Sequence, residues 1–517
     1  MLLIYPPVAK PCEPPAGIAQ LAGALRQNGM SCRLLDANLE GLLYLLDTVA
    51  APLDTWGRRA YRNLKANLAD LRGQALYTNN DRYKRAVADV NRMLELAGLK
   101  KNVALSLANF QDPAFSPLKS GDLLRAATYP EENIFHGYFA ERLQELVADE
   151  QPSFLGFSLN YLSQAVPAFA MIGFARKIAP RLPIVVGGGL VTSWLSNPAM
   201  KNPFAGLVDH LVPGPGEKVL IRLLGGLEPL HDSRPDFAAL PFSDYLAPGL
   251  VLPYAASSGC YWNRCSFCPE QAEKNPYTAK RTENVLSDIN LLAQETSPTL
   301  LHFLDNALSP QLLKAIASRP LPVNWYGFAR FHSDLTDPDF CKALRRSGCI
   351  MLKLGLESGD QGVLDSMHKG VDLGLAAASL AALHVAGIAT YVYLLFGTPS
   401  ESIVEARHTL DFVTSHADAI TFLNLAIFNM PVCSPEADTL KVSTFSEGDL
   451  SLYTDFVHPR GWDRQSVRKF LDREFKRHPV VAAILRRDPP HFTSNHAPFF
   501  ADYFTGRANR ERKGENY

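Results

Sequence analysis

Short apolar runs bounded by turn residues alternate along the chain with longer stretches whose apolar positions recur at helical spacing, a pattern that predicts strands and helices in turn. Residues 2–5 read as a strand, 6–17 as a proline-rich loop, 18–28 as a helix closed by Gly29, and 31–35 as a second strand. From about 50 to 140 the alternation breaks into charged amphipathic helices, clearest over 58–72 and 83–96, which read as an insertion or lid. It resumes with a strand over 154–159, a helix over 165–179, a strand over 184–186 leading into Gly187-Gly188-Gly189, and a strand within 207–212 before Gly214-Pro215-Gly216-Glu217. Such alternation predicts a doubly wound parallel sheet, whose ligands lie at the carboxyl ends of its strands.

Residues 229–248 are rich in proline and aspartate and lack sustained periodicity, which marks a linker. A second series follows, with strands expected over 251–256, 300–304, 323–328, 351–356, 389–395 and 419–425 and helical patterns between them. Six such units predict a partial (β/α)6 barrel of the TIM type with its chemistry at the carboxyl-terminal rim. The fold class is therefore α/β. The expected domains are 1–235 with its helical insertion, a linker over 236–249, the barrel over 250–440, and a small α-helical C-terminal region over 441–517 that is charged and aromatic and ends in a basic stretch from Arg507 to Lys513.

A chain of 517 residues is long for one core and fits two or three domains. The balance of 51 Lys+Arg against 52 Asp+Glu leaves no bulk electrostatic drive toward nucleic acid or an anionic membrane, so a small-molecule or peptide substrate is expected. The opening apolar run is too short for a signal peptide, and no segment reaches the ~18 apolar residues of a membrane span. A cytoplasmic location is expected. There, 8 cysteines read as thiols or metal ligands rather than as a disulfide framework.

Three of them are clustered. Ser257-Ser258-Gly259-Cys260-Tyr261-Trp262-Asn263-Arg264-Cys265-Ser266-Phe267-Cys268 follows the first barrel strand and spaces its cysteines C-x4-C-x2-C. A structural zinc wants four ligands, and no partner motif appears elsewhere in the sequence. A [4Fe-4S] cluster held by three thiolates leaves one iron open to chelate and reduce a substrate. Cys32, Cys341 and Cys349 read as core residues, while Cys12 and Cys433 lie in loops.

These residues resemble the signature of the radical S-adenosylmethionine enzymes, with Phe267 as the aromatic residue before the third cysteine. The family spacing is C-x3-C-x2-C, so this chain carries one extra residue in the first gap. The resemblance implies that the open iron binds the amino and carboxylate groups of S-adenosylmethionine, and that one electron from a donor such as flavodoxin or ferredoxin releases a 5′-deoxyadenosyl radical. It also implies cofactor contacts from Asp305 after the second strand, Arg330 after the third, Glu357 and Ser358 after the fourth, and Gly397 after the fifth. Local readings stand beside these: Asp305 as a helix cap, Glu357 as a solvated turn acid, Gly397-Thr398-Pro399 as a turn.

The N-terminal part resembles the cobalamin-binding domains that precede many of these enzymes, on Tyr5-Pro6-Pro7, Pro15-Ala16-Gly17-Ile18-Ala19, Leu35-Asp36-Ala37-Asn38, Gly156-Phe157-Ser158-Leu159-Asn160, Gly187-Gly188-Gly189 and Gly214-Pro215-Gly216-Glu217. No Asp-x-His-x-x-Gly motif is present, which matches the members that bind cobalamin without a histidine ligand. The resemblance implies contacts from Ser158, Asn160, Gly188, Gly189 and Glu217, where glycines permit close approach. The combination implies a cobalamin-dependent methyltransferase acting on an unactivated carbon or another poor nucleophile. The alternatives are radical cyclisation or rearrangement without methyl transfer, and a cobalamin- or cluster-based sensor, for which no DNA-binding signature appears.

Overall fold

The computed structural model describes residues 1–197, 200, 202–227, 232–443, 448–489 and 496–500. The basic stretch from Arg507 to Lys513 lies outside them. The chain divides into two compact units, one built mainly of Met1–Val251 and the other mainly of Leu252–Phe445 with Tyr453–Pro489.

In the first unit β1 (Leu2–Tyr5), β2 (Arg33–Asp36), β3 (Leu155–Ser158), β4 (Ile184–Gly187) and β5 (His210–Val212) form one sheet in the order β2-β1-β3-β4-β5. Every ladder is parallel. The order reverses between β1 and β3, the position where open α/β sheets leave a crevice for a ligand. β3 is buried throughout, because helices cover both faces of a parallel sheet.

The insertion lies between β2 and β3 and is helical, with Thr55–Arg72, Asn80–Gly98, Ser120–Thr128 and His136–Glu150 as its main elements. The first two are amphipathic and pack on each other, with Ala60 and Leu64 buried on one and Val87 and Val90 on the other. The segment read as a linker is bound to this unit. Its lack of periodicity reflects an extended path held by single contacts: Asp236 pairs with Arg26, the Leu246 N–H donates to the Pro11 carbonyl at 2.8 Å, and the Tyr245 hydroxyl donates to the buried Asp36 carboxylate at 2.7 Å.

In the second unit β6 (Val251–Tyr254), β7 (Leu300–Phe303), β8 (Trp325–Ala329), β9 (Cys349–Glu357), β10 (Ala389–Phe396) and β11 (Phe422–Ile427) lie in sequence order, and the ladders from β7 to β11 are parallel. His302 on β7 and Lys353 on β9, strands separated by β8, meet at 3.2 Å on one face of this sheet. This is the partial barrel. The C-terminal part is more mixed than the all-helical region expected from its charge pattern. Helices Arg464–Phe470 and Pro479–Arg487 accompany a small antiparallel sheet of Met430–Pro431, Tyr453–Phe456 and Val442–Ser443.

In the first unit the helix Leu162–Ile178 seats against Ser120–Thr128 at Gly173, where a methyl group would stand 1.8 Å from the Ala127 carbonyl oxygen. Gly173→Ala should therefore destabilise the fold by ~1–3 kcal/mol, as overpacking does. Gly121→Ala, with nothing within 4 Å, should be neutral or slightly stabilising. Denaturant midpoints of the two variants check the contrast, and equal midpoints would contradict it.

Candidate functional site

The cysteine loop leaves β6 through a short antiparallel pair, Ser257–Ser258 with Thr278–Ala279. Gly259 then turns with φ 71°, and a side chain there would strike the Pro276 carbonyl at 2.5 Å. Asp305, just past β7, is buried, and burial raises its carboxyl pKa. Its oxygens accept from the Ala256 N–H at 3.0 Å and from the Ser257 hydroxyl. It caps no helix, since Ser309 caps Pro310–Ser318, and instead fixes the stem of the cysteine loop.

The far side of the loop is held by one segment. The carbonyls of Met367, His368 and Lys369 accept in turn from the Ser266 N–H at 3.0 Å, the Trp262 indole N–H at 3.0 Å and the Arg330 guanidinium. Phe267 packs on Val363, Leu364 and Met367. Arg330 is buried, with Nη1 3.8 Å from Cys265 Sγ. Sequence reasoning missed Trp262, Ser266 and Lys369. Trp262 was visible inside the cysteine gap, whereas nothing near Lys369 signals its long-range role.

At the end of β9, Glu357 takes φ 67° and its Oε1 lies 2.8 Å from Lys369 Nζ, both side chains largely buried. Gly355 makes room for the pair, because a methyl there would stand 2.4 Å from Glu357 Oε1. Ser358, expected to touch a cofactor, is fully buried, with its hydroxyl 3.3 Å from Thr409 Oγ1 and accepting the Asp360 N–H at 3.1 Å. Its side chain is spent holding the helix Ile403–Ser415 against the strand end. Gly397 turns with φ 84° after β10 and donates its N–H to the carboxylate of Glu401. Glu401 also accepts from the Trp462 indole at 2.9 Å, and burial pushes its pKa up to about 7.

Cys265 is buried and Cys260 and Cys268 are partly buried. Burial, with the charges of Cys265 and Cys260 among its neighbours, pushes the Cys268 thiol up to about 11. Cysteines bind iron as thiolates, so bound positive charge opposes the effect of burial at Cys268. Among the described residues no group of His, Cys, Asp or Glu converges on a single metal ion. A four-iron cluster asks for something else, each thiolate taking a separate iron, and the C-x4-C-x2-C loop with one buried and two partly buried cysteines fits that demand.

The first unit holds a cleft of about 180 Å³ between its sheet and the helices Ala16–Gln27 and Glu217–Leu223. Ser158, Asn160, Gly188 and Glu217 line it. Gly188 takes φ 105°, and a methyl there would lie 2.3 Å from the Leu159 carbonyl oxygen. Gly189 does not line the cleft; its N–H donates to Asn160 Oδ1 at 3.0 Å. Gln164, unnoticed in the sequence, joins two loops at the sheet edge by accepting the Asn160 N–H at 2.8 Å and donating to the Pro6 carbonyl at 2.7 Å. Gly17 also lines the cleft, and a methyl there would stand 3.5 Å from Ser158 Oγ, so the backbone is open to a ligand beside that hydroxyl.

No family model matches the chain. Two curated proteins are similar to it. An uncharacterized methyltransferase of Pyrococcus horikoshii is 20% identical over 52% of this chain and 66% of that protein. The bacteriochlorophyllide d C-12(1)-methyltransferase of Chlorobaculum tepidum is 28% identical over 32% of this chain and 37% of that protein. The chain thus spans just under two thirds of the first and just over a third of the second. Among solved structures, the radical S-adenosylmethionine methyltransferase TsrM of Kitasatospora setae, with cobalamin and a [4Fe-4S] cluster in one of its structures, is 16% identical over 99% of this chain and 98% of that one, with TM-scores of 0.56 and 0.55. The cobalamin-dependent radical enzyme OxsB is 13% identical over 100% of this chain and 61% of that one, at TM-score 0.50. The chain therefore has the fold of the cobalamin-dependent radical S-adenosylmethionine enzymes.

Glu401 gives a pH test of the loop after β10. Its folded pKa is raised from 4.5 to about 7, so the stability it contributes is complete below the unfolded value and is lost as pH rises through about 7. In Glu401→Gln, whose amide oxygen accepts the same two N–H groups, the fall in melting temperature between pH 5 and 8 should shrink. An unchanged slope in thermal unfolding would contradict the assignment.

Proposed function

We propose that the chain is a cobalamin-dependent radical S-adenosylmethionine methyltransferase acting on an unactivated carbon or another poor nucleophile of a small-molecule or peptide substrate. The observation that carries this reading is the union of two sites within one fold: a three-cysteine loop clamped after the first strand of a partial barrel, and a glycine-lined cleft on a sheet of order β2-β1-β3-β4-β5. The near end-to-end likeness to the TsrM fold and the methyltransferase names of both curated relatives support it.

When bound, the cluster and S-adenosylmethionine would supply one-electron chemistry and cobalamin would carry the methyl group. The protein holds and orients. Cys260, Cys265 and Cys268 are the cluster ligands, with Phe267 and Asp305 fixing the loop from its two ends. Glu357, kept in place by Lys369, and the backbone at Gly397 lie at the ends of β9 and β10, where they offer S-adenosylmethionine a carboxylate and peptide groups. Ser158, Asn160, Gly188 and Glu217 are the cobalamin contacts, and Gly189 acts through the bond that orients Asn160. Reduction requires a one-electron donor such as flavodoxin or ferredoxin.

Anaerobic reconstitution with iron, sulfide and cobalamin separates the two sites. Replacing Cys260, Cys265 and Cys268 together by alanine should remove the iron while cobalamin is retained. Gly188→Ala should lower cobalamin retention at least tenfold and leave the iron content intact. With substrate supplied, label from the methyl group of S-adenosylmethionine should reach the product. Deoxyadenosine release with no labelled product would instead favour cyclisation or rearrangement, and a wild-type protein that takes up about one zinc and no iron would contradict the cluster assignment.

A further inference from the structure

The gap between Cys260 and Cys265 holds four residues, one more than the usual spacing, and the structure shows what the longer gap accommodates. Asn263 takes φ 41°, in the left-handed region, and the preceding Trp262 seats its ring against Gly370. The seat exists because residue 370 has no side chain: a methyl there would stand 2.1 Å from the indole ring. The indole N–H donates to the His368 carbonyl at 3.0 Å. Arg330 lies over the ring with its guanidinium carbon 4.4 Å from the centroid, and the exposed Arg264 lies 5.1 Å from it.

Arg330 is thereby fixed from three sides, by the Trp262 ring, by the Lys369 carbonyl that accepts from Nη2, and by Cys265 Sγ at 3.8 Å from Nη1. Among the described residues no carboxylate pairs with it, whereas the neighbouring Lys369 is neutralised by Glu357. A guanidinium offers five N–H donors in a planar fork.

We propose that Trp262 is a positioning residue that holds the Arg330 guanidinium as an N–H donor to the Cys265 sulfur, and that this contact raises the reduction potential of the cluster. The inference rests on the reading of the three cysteines as cluster ligands. The step involved is the addition of one electron to the cluster from a low-potential donor. No protein bond breaks, no proton moves, and the thiolates stay ligated. The reduced cluster carries one more negative charge, so a fixed positive charge and a hydrogen bond at one of its sulfurs stabilise the reduced form more than the oxidised form. A lysine would not serve equally, because the planar guanidinium stacks on the indole while its edge reaches both the carbonyl and the sulfur.

The test uses the full chain reconstituted anaerobically with iron and sulfide. Midpoint potentials are measured by redox titration followed by electron paramagnetic resonance, with iron content and circular dichroism as controls. Arg330→Gln and Trp262→Leu should each load iron and shift the potential lower by similar amounts, and the double variant should shift no further than Arg330→Gln alone, the mark of two residues acting through one contact. Trp262→Phe, which keeps an aromatic face for Arg330, should recover most of the wild-type potential. An unchanged potential in an iron-loaded Trp262→Leu, or shifts that add in the double variant, would overturn the proposal. So would a failure of every Trp262 variant to load iron, which would leave Trp262 a loop-folding role alone. Failure of the wild type to take up iron would instead overturn the reading of the cysteines.

Discussion

Three successive carbonyls, those of Met367, His368 and Lys369, carry the mouth of the barrel. They lie just past the helix Gln361–Ser366, in a segment whose own N–H groups turn back to the helix carbonyls of Val363, Leu364 and Asp365. The donors to the three carbonyls come from the cysteine loop and from the strand beside it: Ser266, Trp262 and Arg330. A loop with almost no secondary structure of its own is given a shape by another segment's carbonyls. Each such bond is worth about 1 kcal/mol net, and a buried acceptor left alone costs ~1–3 kcal/mol, so the three hold the loop more firmly together than any one would.

The same constraint explains the distribution of glycine. Gly370 admits the Trp262 ring, Gly355 admits the Glu357–Lys369 pair, and Gly188 lets the turn after β4 pass under the Leu159 carbonyl. In each case a side chain is missing so that another group can occupy a fixed place. Sites built this way lie on rigid strand ends, and their side chains are held before any ligand arrives. Asp305 and Glu401 extend the pattern. Both are buried carboxyls committed to backbone N–H groups, one at the stem of the cysteine loop and the other at the turn after β10.

Much of this was legible in the sequence because parallel strands covered on both faces read as unbroken apolar runs. Leu2–Tyr5 has its expected bounds, and each of the six barrel strands overlaps its expected range. The cysteine spacing was legible too, since its chemistry is local. What the sequence hid was pairing at a distance. Nothing beside Lys369 announces Glu357, and nothing in the loop announces that Trp262 belongs to Gly370. Ser358 looked like a rim hydroxyl because its strand position was read correctly while the helix that buries it, with Thr409, lay 51 residues further on. Asp305 was read as a cofactor contact or a helix cap for the same reason, its true partners lying 49 and 48 residues back along the chain.

The central claim is that three thiolates on this loop hold a four-iron cluster with one iron open to S-adenosylmethionine. Electron paramagnetic resonance of the reconstituted and reduced protein, recorded with and without S-adenosylmethionine, tests it most directly. The account predicts the signal of a reduced [4Fe-4S] cluster whose shape changes when S-adenosylmethionine is added, because the open iron gains ligands. A reduced-cluster signal that is indifferent to S-adenosylmethionine, or no iron–sulfur signal at all, would contradict it.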